Sequence, residues 1–190
     1  MKKVETVFLA GPDGWGPEAG DLRGRREALC AAAGFRALTP RLGEGLEEEG
    51  RSELAARSLY AEALGDLRKA DALIANLTPW RGPSCDPATA FLAGFASALK
   101  KPVFAYLNIQ DEEEADLRGR IERVFGAGPD LTGRWRDALD CEIEDFYLPE
   151  TLMLWAEARR FYVIVTPEPL TDLHGFEFCL EALRAYSDFD

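Results

Sequence analysis

Histidine is nearly missing from this chain: His174 is the only one among 190 residues. A histidine-rich metal site is therefore excluded, and a Ser-His-Asp triad requires His174 itself. Basic residues are also scarce, with 22 Lys and Arg against 34 Asp and Glu, a net charge of −12. That balance speaks against a nucleic-acid partner, because such binding rests on clustered Lys and Arg that release counterions. No stretch approaches the roughly 18 apolar residues of a membrane-spanning helix, so no membrane partner is expected. The apolar run after Met1-Lys2-Lys3 ends at Ala10, too short for a signal peptide. The four cysteines, Cys30, Cys85, Cys141 and Cys179, form no C-x-x-C pair and read as reduced thiols of a cytoplasmic protein. Familiar phosphate motifs are missing too. Gly11 to Gly16 reads G-x-x-G-x-G rather than G-x-G-x-x-G, and there is no G-x-x-x-x-G-K-[ST].

What is present suits one α/β domain over residues 1–190. The chain is 47% apolar, and a chain of this length buries roughly 70% of its unfolded surface. Val4 to Ala10 is a β-branched and aromatic run that stops at Gly11-Pro12, which predicts a buried strand and a loop. A helix is expected over Pro17 to Ala33, with Pro17 in its first turn and Gly34 past its end. A short strand, Phe35 to Leu38, closes at Thr39-Pro40, and the acidic Gly43 to Gly50 reads as a surface loop. Ser52 caps a helix to about Lys69, with Leu54, Leu59, Ala63 and Leu67 at helical spacing. Asp71 to Leu77 is a third strand. Asp86 and Pro87 open a helix to Leu99 that is apolar on nearly all sides, a pattern that asks for burial on several faces or by a partner subunit. Val103 to Leu107 is a fourth strand, Asp111 to Phe125 a charged helix, and Gly126 to Gly133 a loop. Residues 108–160 are expected to hold no strand. Phe161 to Val165 is the last strand, and a helix runs from about Thr171 to Tyr186. This alternation predicts a Rossmann-like, doubly wound parallel sheet of about five strands flanked by helices.

In such a sheet, ligands bind beyond the C-terminal ends of the strands. Two loops fall there: Ala10 to Gly16 after the first strand and Thr78 to Pro87 after the third. They bring Asp13, Trp15, Trp80, Arg81 and Asp86 towards one expected cleft, faced by the free amides that open the Pro87 helix. Indoles stack on flat rings and Asp86 accepts from hydroxyls. The same residues also fit a Gly-rich turn, an N-cap and two half-buried tryptophans. Cys85 lies beside a helix N-terminus, where the dipole lowers a thiol pKa; a packed, inert thiol fits as well. Asp111 to Glu114 reads as a solvated helix start rather than a divalent-metal site. His174 simply falls on the last helix.

The residues then resemble a family. Phe8-Leu9-Ala10-Gly11-Pro12, the stretch Asp71 to Ser84, Asp86-Pro87-Ala88-Thr89-Ala90-Phe91, Gly94-Phe95-Ala96 and Lys101-Pro102-Val103 resemble the nucleoside 2-deoxyribosyltransferases. Glu144-Asp145-Phe146-Tyr147-Leu148-Pro149 followed by Leu152-Met153-Leu154 resembles their second signature. The resemblance implies a homo-oligomer with active sites completed by a neighbouring subunit. It implies transfer of 2-deoxyribose between nucleobases without metal or organic cofactor. A glutamate attacks the anomeric carbon, and the covalent intermediate passes the sugar to a second base, the two-step logic of retaining glycosidases.

From the two loops and the resemblance together, the expected substrate-binding positions are Phe8, Gly11, Pro12, Asp13, Trp15, Trp80, Arg81, Gly82, Asp86, Ala88, Thr89, Leu92, Thr151 and Met153. The family pattern D-x-G-T-x-x-E-x-G-x-A departs here at two of its places, with Ala88 for its glycine and Leu92 for its nucleophile. The tyrosine that supports the nucleophile is Phe8. The polar residue of the middle helix falls at Ala63, and the asparagine of the second signature is Thr151. The changes share a logic, because a buried tyrosine hydroxyl facing leucine would lose its partner at about 1–3 kcal/mol. Leucine supplies neither nucleophile nor base. Transfer is expected to be weak or absent unless Asp13, Asp86 or Glu150 substitutes, for example by orienting a water for N-glycosidic hydrolysis. Three readings stay open: a glycosidic enzyme with a substitute carboxylate, a silent binder of a nucleoside, nucleotide or nucleobase, and a scaffold.

Overall fold

The computed structural model describes residues 3–16, 18–40 and 52–188. Pro17 as a helix start and the Gly43 to Gly50 loop lie outside the described residues. Strands β1 (Thr6–Ala10), β2 (Arg36–Leu38), β3 (Ala72–Asn76), β4 (Val103–Ile109) and β7 (Ala158–Val165) form one sheet in the order β2-β1-β3-β4-β7. All four pairings are parallel. Helices α1 (Ala19–Ala32) and α6 (His174–Asp188) cover one face, while α2 (Glu53–Lys69) and α3 (Pro87–Ala98) cover the other. The five-stranded doubly wound sheet is thus as expected. Its strand order reverses between β1 and β3, which opens a crevice at their carboxyl ends.

Alternation along the strands sorts the core into two layers. Val7, Leu9, Ile74, Phe104 and Tyr106 meet Leu22 and Cys30 of α1 and Phe176, Cys179 and Leu183 of α6. Phe8, Ala10, Leu73, Ala75 and Ala105 meet Leu64 and Leu67 of α2 and Leu92 and Ala96 of α3. With both faces covered, the inner strands read as continuous apolar runs. The last helix sits close to the sheet at Gly175, where a Cβ would lie 2.7 Å from the Tyr106 ring. Caps set the helix starts: the Ser52 hydroxyl accepts from Ala55 N, and the Asp86 carboxylate from Thr89 N.

Three expectations need correction. The charged helix expected from Asp111 is split into a 3-10 turn, Glu112–Glu114, and α4, Leu117–Phe125. Asp116 restarts the helix by accepting from Gly119 N at 2.7 Å, and Gly119 passes against Glu113 O with no room for a Cβ. Residues 108–160 are not strand-free, because β4 continues to Ile109 and β5 (Ala127–Pro129) pairs antiparallel with β6 (Trp135–Asp137). A short helix, α5 (Leu152–Glu157), precedes β7, and α6 begins at His174 rather than Thr171.

Candidate functional site

The first loop leaves β1 through Gly11, where a Cβ would come within 2.8 Å of Asn76 Cβ and collide with the Asp13 carboxylate. Only glycine lets the chain pass β3 so closely. The 3-10 turn Pro12–Trp15 then turns Asp13 inward. Its Oδ2 accepts from Arg26 Nη1 at 2.5 Å and its Oδ1 from Asn76 Nδ2 at 2.7 Å. Arg26 rises from α1 and lies 5.1 Å over the Phe176 ring. Burial, the largest single cause, works to lower the guanidinium pKa, but the Asp13 charge and hydrogen bond together with Tyr106 and Cys30 outweigh it and the result is raised. Nearby Tyr106 is held well above the usual phenol range, by burial first and the Asp13 charge second. Asp13 therefore belongs to the α1/α6 side of the sheet, whereas Phe8 and Leu92 lie on the α2/α3 side. Asp86, by contrast, caps α3 on the other side.

On the α2/α3 side, Phe8 is fully buried and Leu92 and Ala63 nearly so. Phe8 and Leu92 share one hydrocarbon cluster. Asp86 caps α3, its Oδ2 accepting from both the amide and the hydroxyl of buried Thr89 at 3.0 and 3.1 Å. Ala88 is exposed on the first turn. The second loop carries Trp80 with the Arg81 guanidinium 5.4 Å over its ring, and Arg81 takes φ 57. Trp15 is half exposed.

Glu150 ties this loop to the start of α5. It is wholly buried and accepts from Ser84 Oγ at 2.8 Å, Cys85 N at 3.2 Å and Thr151 N at 2.9 Å. Arg120 Nη2 stands 3.7 Å away. The Arg120 guanidinium donates to the carbonyls of Pro83, Glu114 and Pro149. Burial lowers its pKa, against the Glu150 charge. Cys85 is pushed up to about 12, by burial first and the Glu150 charge second. Of the two readings of this thiol, its burial supports the packed, inert one. Thr151 is half-buried and Met153 exposed. His174 is exposed, its Nδ1 2.9 Å from Asp172 Oδ1. Asp111 and Glu114 pair with Arg123, and no metal-binding cluster occurs among the described residues.

Two of the cavities along the carboxyl edge of the sheet are lined by the second loop. One of about 100 Å³ joins Pro12, Asp13 and Gly16 of the first loop to Trp80 and Leu170. The other, about 320 Å³, lies beyond β3 and β4 and includes Thr78, Gly82, Asn108 and Arg120. The structure thus brings Pro12, Asp13 and Trp80 together and leaves Trp15, Asp86 and Leu92 outside both linings. Arg26, Asn76, Tyr106, Asn108 and Arg120 were not singled out from the sequence. The asparagines left a trace, as each is the polar residue of an apolar strand at its carboxyl end.

The family model for nucleoside 2-deoxyribosyltransferase matches residues 7–153. The chain belongs to this family. Among solved structures, the 2-desoxiribosyltransferase from Leishmania mexicana is similar at 22% identity, with a TM-score of 0.62 over 93% of this chain and 97% of that one. A conserved protein from Enterococcus faecalis V583 is similar at 16% identity, with a TM-score of 0.50 over 96% and 99%. At these identities the likeness concerns the fold. No curated protein matches. Within this nucleoside 2-deoxyribosyltransferase fold, the three carboxylates singled out from the sequence differ in how they are held. Asp13 and Glu150 have both oxygens engaged by protein donors. Asp86 Oδ2 is engaged by Thr89, while its Oδ1 has no partner among the described residues.

Proposed function

We propose that this nucleoside 2-deoxyribosyltransferase-family chain is a single domain that binds a nucleoside or nucleotide and transfers deoxyribose weakly or not at all. The observation that carries this reading is Leu92, packed with Phe8 in hydrocarbon where the family resemblance calls for a glutamate and its tyrosine. A carboxylate nucleophile must sit beside the anomeric carbon, and neither side chain offers one. Retained Asp86 and Thr89 support a kept sugar-binding end. The exposed Met153, with Thr151 beside it, supports completion of the site by a second copy of the chain. No helix among the described residues is long and apolar enough to cross a membrane.

The test is incubation of the purified protein with deoxyinosine and free adenine, followed by chromatography. The expected result is no exchange by wild type, exchange by the Phe8→Tyr/Leu92→Glu variant, and a thermal shift with nucleosides. Efficient exchange by wild type overturns the reading. A second reading, N-glycosidic hydrolysis, draws on Asp86, whose Oδ1 has no protein partner among the described residues. Its carboxylate sits six residues before Leu92, about 9 Å along the helix. Free base and free sugar released by wild type, and lost in Asp86→Asn, would favour it.

A further inference from the structure

We propose that β7 is an interface strand, whose free edge pairs antiparallel with β7 of a second copy of this chain about a two-fold axis and joins two sheets into one. The two edges of the sheet differ. β2 has three residues and runs into Thr39-Pro40. β7 has eight, and its residues 161–165 include no proline, glycine or charge. Short strands, prolines, charges and bulges are what protect a sheet edge. The register shift of the β4–β7 pair lies only at its start, between Val103 and Phe104. Thr166 N donates to Ile109 O of β4. Along a strand the N–H and C=O of one residue point the same way, and the direction alternates from residue to residue. Tyr162 and Ile164 therefore face β4, while Phe161, Val163 and Val165 present their backbone groups outward. No group among the described residues bonds to these outer atoms.

A second copy fits this edge in pattern and in charge. An antiparallel pair centred on Val163 matches the outward set with itself, Val163 opposite Val163 and Phe161 opposite Val165. It also lays the side chains of Val163 and Val165, 36% and 51% exposed, against hydrocarbon of the other copy. The net charge of −12 opposes indiscriminate self-association, so a specific contact must bring unlike charges together. Arg159 and Arg160 stand where β7 begins. Arg159 lies 4.8 Å over the Tyr186 ring and Arg160 donates to Arg159 O, and neither meets a carboxylate among the described residues. Glu168 follows the other end, where it accepts from Thr171 Oγ1 and meets no cation among the described residues. Reversed strand direction brings the arginines of each copy alongside Glu168 of the other. Such a contact closes at two, and the short β2 gives no second edge for growth into a fibre. It uses neither Thr151 nor Met153.

The test is sedimentation equilibrium of the full-length protein at micromolar concentration, beside Val163→Lys and Val163→Thr. Val163→Lys sets two like charges opposite each other at the axis. It is expected to halve the particle mass, while Val163→Thr, still β-branched, keeps it. Oxidative cross-linking gives a second measurement that needs no lysine variant to fold. It starts from Cys141→Ser, which removes the exposed thiol. Added to that background, Val163→Cys is expected to form a covalent dimer, because the residue on the axis faces itself. Val124→Cys, half exposed on α4, is expected to form none. A monomeric wild type, its edge left for an extended segment of another protein, overturns the proposal. So does a mass that a cooperatively folded Val163→Lys leaves unchanged, or absence of the Val163→Cys dimer. A contact through Met153 alone gives those last two results, so the two contacts are judged apart.

Discussion

On the α1/α6 face of the sheet, Arg26 and Asp13 lie paired beneath the first loop with 4% and 8% of their side chains exposed. On the α2/α3 face, Phe8 and Leu92 fill comparable depth with hydrocarbon. The same fold accepts a buried carboxylate where a guanidinium and an amide are set to receive it. The apolar floor at Leu92 is therefore no consequence of a sheet unable to bury charge. A carboxylate there would need its own donors, and Phe8 supplies none.

The largest test of this contrast removes one partner of the buried pair. Asp13→Ala leaves Arg26 buried without its counter-charge and is expected to cost about 3–5 kcal/mol in denaturant unfolding. A loss below about 1 kcal/mol, the range of exposed pairs, would show that water already satisfies Arg26. A second test adds polarity to the other face. Phe8→Tyr alone places a hydroxyl in hydrocarbon and is expected to cost about 1–3 kcal/mol. Together with Leu92→Glu the two changes are expected to couple favourably, by about 0.5–3 kcal/mol in a double-mutant cycle. Additive losses would mean that the two new groups do not meet.

Smaller effects sit at the edges. Burial tends to raise the Asp172 pKa, but hydrogen bonds from His174 N, Thr166 Oγ1 and the His174 ring outweigh it and hold it low. A carboxylate with a depressed folded pKa adds stability above its unfolded value, about pH 4. That contribution fades as pH falls through the folded value. Asp172→Asn should therefore flatten the acid side of a stability–pH curve and leave a smaller difference between pH 5 and pH 2. An unchanged acid limb would contradict that role. The smallest effect leaves stability untouched. Iodoacetamide at pH 8 should label exposed Cys141 and spare Cys30 and Cys85, both raised to about 12 with burial as the first cause. Rapid labelling of Cys85 would mean that the second loop opens readily.

Much of the fold was legible because β1, β3 and β4 are buried on both faces, β1 stops at Gly11 and β3 at Asn76, and because Ser52 and Asp86 announce their helices. The β5–β6 hairpin was not, since Ala-Gly-Pro and Trp-Arg-Asp have little strand character. Side chains stabilise it instead: Asp130 accepts from Thr132, Arg134 and Arg136. The break before Leu117 hid inside a continuous charged pattern, where Asp116 looked like one more acidic residue. Of the candidate site, the apolar packing of Phe8 with Leu92 and the cap made by Asp86 were legible from residue type and spacing. The partners that fix Asp13 and Glu150 were not, because Asn76 and Ser84 lie 63 and 66 residues away in the chain. Charge and type identify a carboxylate in sequence, but only the fold reveals which donors already hold it.

Glu150 has a consequence for how this edge of the molecule opens. The amides of Cys85 and Thr151, 66 residues apart, donate to the two oxygens of one carboxylate. Neither segment can lift away without stranding that carboxylate or drawing the other segment along. In deuterium exchange the two amides should therefore lose protection at the same rate, in one shared excursion. Glu150→Gln, which converts one acceptor oxygen into a donor, should separate those rates and let the segment after β3 breathe independently of the segment that presents Met153.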